Sequence, residues 1–155
     1  MDWELELLEL EAEYRAILPD DVSAFDMAAL AFDFDAFAKR APTDGSPRVT
    51  GINLREERIG LAAAHKTLTA LARKATSDME RRRYLNAMRV VLAELAAVVQ
   101  AELDGIGARL GPLTQAFKAS AGELKSIHGR AVQMIGNLNL AADILGAFGK
   151  LVAAL

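Results

Sequence analysis

Apolar residues recur at alternating steps of three and four along most of this chain, and the longest such run fills its last third. Leu124, Ile127, Ala131, Met134, Leu138, Ala141, Leu145, Phe148, Val152 and Leu155 keep that spacing without a break. Steps of this kind stack side chains along one side of an α-helix, so the pattern predicts a long helical seam that must be buried.

Earlier stretches read the same way. Trp3, Leu7, Leu10, Tyr14 and Ile17 predict a first helix, which Pro19 stops, and Asp20 with Asp21 offers a cap for a second. Val22, Phe25, Ala29, Phe32 and Ala36 carry that second helix, and Phe34 and Phe37 widen its stripe. Residues 41–51 contain two prolines and two glycines and read as a linker. Beyond it, Asn53 with Glu56 and Ser77 with Glu80 have the cap-x-x-Glu arrangement of helix starts. They bracket a helix with Leu61, Ala64, Leu68, Leu71 and Ala75 inward. The next helix presents Leu85, Met88, Leu92, Leu95 and Val99, then Leu103, Ile106, Leu110, Leu113 and Phe117 in continuous phase. Two successive steps of four around Val99 locally remove left-handed supercoil. Gly105, Gly107 and Gly111-Pro112 interrupt this phase, predicting a break or sharp kink between residues 105 and 112. Ser120-x-x-Glu123 marks an alternative turn at 119–122.

These elements predict an all-α fold: a helical bundle with long antiparallel coiled-coil-like helices and a short N-terminal helical hairpin. The expected division is an acidic hairpin at 1–40, a linker at 41–51 and a long-helix bundle at 52–155, with one compact domain overall as the alternative. An apolar content of 52% is enough for a true core, and with aromatics at only 6% that core must be filled by Leu, Ala, Ile and Val. The absence of cysteine removes disulfides, thiolate metal sites and cysteine nucleophiles. The N-terminus is acidic where a secretory signal is basic, so the expected location is cytoplasmic. Residues 131–155 are apolar overall, but Gln133, Asn137, Asn139, Asp143 and Lys150 interrupt them too often for a membrane span. Twelve arginines against six lysines, with an alanine bias, suggest a bacterial origin.

The net charge of −3 conceals a segregation. Residues 1–44 carry twelve acidic and three basic side chains, whereas positive charge gathers at Arg73, Lys74, Arg81, Arg82, Arg83 and Arg89. Nucleic-acid binding from this basic patch would call for base-stacking aromatics or a reading helix, yet only Tyr84 accompanies it and Arg81 to Arg83 fan around their helix. Pairing with the acidic N-terminal part, or plain solvation, is the simpler reading.

Chemical motifs are sparse. Neither His65 nor His128 has a metal-ligating residue three or four positions away, and a flanking histidine bonded to a backbone carbonyl is the ordinary case. Asp33 and Asp35 diverge on a helix, and Glu4, Glu6, Glu11 and Glu13 read as solvating the first helix. The glycines around Gly105-Ile-Gly107 follow no strand and lack phosphate-loop spacing. No catalytic, cofactor or metal site is predicted, and the chain is not expected to be an enzyme.

What remains is a surface. Gly122, Gly129 and Gly136 are spaced by seven, opposite the apolar seam, at about 0.5–1 kcal/mol each relative to Ala inside a helix. Only glycine would let a second helix approach so closely. Beyond the seam, Ile135, Leu140, Ala142, Ile144 and Leu151 make the last helix apolar on most sides, more than one neighbour would cover. The expected function is therefore a non-enzymatic interaction or assembly protein, using Gly122, Gly129, Gly136, Leu140, Ile144, Phe148 and Leu151 to bind itself or a protein partner. Two other readings stand beside it: a membrane-active protein whose C-terminal hairpin opens on a bilayer, and a bundle that holds a small apolar ligand, with His65 or His128 as its polar handle.

Overall fold

A computed structural model describes residues 2–18, 52–105 and 110–155. The Phe25 to Phe37 cluster, Asp33, Asp35 and the 41–51 linker lie outside the described residues. Within them the fold is all-α: α1 (Asp2–Ile17), β1 (Ile52–Asn53), α2 (Leu54–Lys74), α3 (Asp78–Leu103), β2 (Leu110–Gly111), α4 (Gln115–Ala119), α5 (Ala121–Gln133), α6 (Ile135–Leu138) and α7 (Ala142–Ala153). The two short strands pair antiparallel, Ile52 opposite Gly111 and Asn53 opposite Leu110.

Local chemistry starts the two main helices where the sequence places them. Asn53 Oδ1 accepts the Glu56 N–H at 2.9 Å, and Ser77 Oγ accepts the Glu80 N–H at 3.1 Å. Each bond satisfies a backbone donor that a helix start would otherwise leave unpaired. Ser120 makes no such bond; the cap in that region is Thr114, whose Oγ1 accepts from the Phe117 N–H at 3.2 Å. The 105–112 break is present: α3 ends at Leu103, Gly105 adopts φ +74°, and the chain turns through the strand pair into α4.

Helices α2 and α3 form the centre of the bundle, with α1 packed on α3, α7 on α2, and α5 against α7. The inward stripes of both central helices are buried, from Leu61 to Ala75 and from Leu85 to Leu95. Alanines 62, 63 and 64 are also fully buried, which lets neighbours lie close to α2. Two steps of four rotate the stripe by roughly 80° relative to a 100° helical advance. Val98 therefore takes the buried position instead of Val99, and Leu103, in phase by spacing, is 77% exposed. Helix α3 is also the described helix long and apolar enough to cross a membrane, but 56% of that stretch is buried inside the bundle, as in a core helix.

The C-terminal seam is not one helix. It is cut into α5, α6 and α7, with Asn139 in the left-handed region at φ 57° and Ala141 extended. Asn is among the few residues that tolerate this conformation, and the reversal it permits folds α7 back along the bundle. Leu124, Ile127, Ala131, Leu138, Leu145, Phe148 and Val152 are all buried, but against different neighbours rather than along one line.

Candidate functional site

Phe148 and Leu151, expected on an interaction surface, are both fully buried within the chain, which corrects that expectation. The reason is the turn at Asn139: once α7 folds back, its second apolar line meets α2 rather than solvent. A Cβ placed on Gly60 would lie 2.9 Å from Leu151 Cβ, so this α2 glycine is what lets α7 approach. A Cβ on Gly149 would lie 2.8 Å from His128 Nε2, and the His128 ring meets Phe148 edge-on at 5.2 Å. Helices do approach closely through glycine in this bundle, but at Gly60 and Gly149.

Gly122, Gly129 and Gly136 sit on the outer side of α5 and α6, and a Cβ on any of them would meet nothing within 4 Å. Beside them Val132 and Ile135 are 48% and 42% exposed. Leu140 and Ile144 are half-buried on the edge of the core.

The basic patch is largely engaged. Arg82 Nη1 donates to Glu6 Oε1 at 2.7 Å, and Arg89 Nη2 donates to the same oxygen. These bonds hold the Glu6 carboxyl below the usual carboxylate range and raise Arg82. Arg81 donates to the carbonyls of Ala72 and Ala75 at 3.1 and 2.7 Å, and its guanidinium lies 4.1 Å from the Trp3 ring centroid. Arg83 bonds Glu123 and, at 2.9 Å, Ser126 Oγ, linking α3 to α5. Tyr84 donates to Glu80 at 2.8 Å; burial first, then that carboxylate, raise its phenol. Arg73 and Lys74 are exposed.

Glu11 does more than solvate α1. Its Oε2 lies 2.8 Å from Nε2 of the buried His65, and the Tyr14 ring stacks on that imidazole at 4.1 Å with 6° between planes. These residues border an open cleft of about 520 Å³ with Arg73, Leu138 and Leu140 also on its walls. His128 donates to the Leu145 carbonyl at 3.2 Å. No three metal-ligating side chains come together among the described residues.

The strongest chemical anomaly is a carboxyl pair that the sequence reading did not single out. Glu57 in the first turn of α2 and Glu94 within α3 are both fully buried. Glu94 accepts two backbone N–H groups, from Leu113 at 2.8 Å and from Thr114 at 2.7 Å. The Glu57 carboxyl faces Glu94, and it also occupies the place where a Cβ at position 111 would come, so a side chain there would have to displace it. Burial, and then Glu94, push the Glu57 carboxyl up to about 10. It is therefore held as a neutral acid beside Glu94, with an O–H able to donate to that carboxyl, because two charged carboxylates are costly in one dry site. A periodicity signal existed: Glu57 precedes Leu61 by four residues, and Glu94 shares the inward register of Val91 and Val98.

No protein family, curated protein or solved structure matches this chain.

Proposed function

We propose that this protein is a non-enzymatic assembly module that pairs with a second copy of itself through the outer face of α5 and α6. The observation that supports the reading is the line Gly122, Gly129 and Gly136, open above every glycine and flanked by exposed Val132 and Ile135. Helical glycines weaken a helix unless something uses the space they leave. A partner helix would use it. The face carries both hollows and apolar projections, so it is complementary to itself, as a two-fold interface requires. Phe148 and Leu151 take no direct part; they hold α7 beneath α5 and so support the face from within.

Light scattering of the full chain tests the reading. A dimer is expected for the unaltered protein, and a monomer with an unchanged helical spectrum for Gly129→Leu combined with Val132→Glu. Both positions are exposed, so the substitutions leave the core intact. A monomeric parent, or a variant that keeps the dimer mass, would overturn it.

A further inference from the structure

The Glu57–Glu94 pair joins three parts of the fold that are far apart in sequence. Glu57 belongs to the start of α2, Glu94 to the second half of α3, and the two N–H groups that Glu94 receives belong to the segment following the β1–β2 pair. That segment has little other secondary structure to hold it. Its strand pairing covers two residues, and α4 is five residues long and tied to the core through Phe117.

We infer that the proton shared by Glu57 and Glu94 is a latch: with it in place residues 110–114 are clamped between α2 and α3, and its loss releases that segment before the rest of the bundle unfolds. This goes beyond self-association and does not depend on it.

The geometry supports the latch in three ways. First, both Glu57 oxygens are buried and, among the described residues, no N–H donor reaches them and Glu94 is the one side chain that acts on them, so no described donor neutralises a charge on Glu57. Second, the Glu57 carboxyl lies directly against Gly111, so repulsion between two carboxylates acts at the strand pair itself. Third, the neighbouring charges are committed elsewhere. On α2, Glu56 faces Asn53, and Arg58 lies 3.1 Å from Glu102 of α3. On α7, which packs against α2, the charged residues are Asp143 and Lys150; neither acts on Glu57, and residues 110–114 carry no charge. Among the described residues Glu94 alone sets the charge state of Glu57. An isolated buried carboxylate is costly enough that the site opens to water instead of holding two.

Hydrogen exchange of the Leu113 and Thr114 amides, followed by NMR from pH 6 to about 8.5, tests the inference. Base catalysis alone speeds exchange about tenfold per pH unit. If opening also releases one proton, the opening constant rises by about another tenfold per unit, giving about a hundredfold in all. The expected result is this steeper dependence at Leu113 and Thr114, at protection well below that of Leu68 in the α2 core. In Glu57→Gln, whose amide N–H can still donate to Glu94, the dependence should return to tenfold. Tenfold dependence in the unaltered chain would overturn the latch, because opening would then leave the proton in place. Protection equal to that of Leu68 would overturn it as well, because the segment would then open only with the whole fold. Both comparisons use the unaltered chain, so they stand even if the variant does not fold. A ¹³C titration of the Glu57 carboxyl adds a direct reading, with no change expected below about pH 8.

Discussion

A methyl group added at Gly60 would be forced against Leu151, whereas one added at Gly129 would meet nothing, although both glycines lie inside helices. The two substitutions should therefore have opposite signs. Gly129→Ala removes the conformational penalty of a helical glycine and should stabilise the chain by about 0.5–1 kcal/mol where the face is uncovered. Gly60→Ala gains the same intrinsic term but overpacks a full core, at about 1–3 kcal/mol, and should be net destabilising. Urea unfolding of both variants, at concentrations where the parent is monomeric, measures the difference. Equal shifts would mean that α7 does not rest on α2 as described. At Gly111 the obstacle is instead the Glu57 carboxyl, the end of a side chain rather than the Cβ of a leucine.

At the scale of elements, spacing was enough to place α1, and spacing with a side-chain cap was enough to place α2 and the first part of α3, because each buries a single stripe. They were not enough for the C-terminal third. The seam from Leu124 to Leu155 keeps its phase across a reversal, since a period of 3.5 residues records which residues are buried and not whether the backbone between them continues. One Asn in the left-handed region decided the matter, and in the sequence Asn139 stood out only as one of the polar residues that interrupt a membrane span. The consequence is testable in α7. Leu151→Ala should destabilise the monomer by about 2–5 kcal/mol, as for a buried leucine, without specifically changing its association. Leu140→Ala, at a half-buried position, should cost clearly less. Thermal melts at several protein concentrations separate the two effects. Pairings between distant segments were least legible: Glu11 and His65 are 54 positions apart, and neither has a local signal of the other. Glu57 and Glu94 were readable only as acids in inward register, which suggests burial but names no partner.

Over the whole molecule, the charge pairs set how stability changes with pH. Glu6, held below its ordinary value by Arg82 and Arg89, contributes stability that is present above the usual carboxylate range and is lost as pH falls. Glu57 works in the other direction. Its folded-state value is raised from 4.5 to about 10, so between these limits the folded chain carries a proton that the unfolded chain does not. The stability it contributes is fully present below about 4.5 and declines as pH rises, by at most about 1.4 kcal/mol per unit, until it is gone near 10. Tyr84, also raised, adds to the decline at the alkaline end. The two trends place maximum stability close to pH 5, on the acid side of neutrality, although the protein is itself acidic with a pI of about 5.4. Denaturant unfolding at pH 5, 7 and 9 should give a falling series, and Glu57→Gln should flatten it and be more stable than the parent at pH 9. A flat series in the parent would show that Glu57 is already ionised in the folded chain. That outcome would require a counter-charge at the buried pair, and residues 110–114 have none to offer.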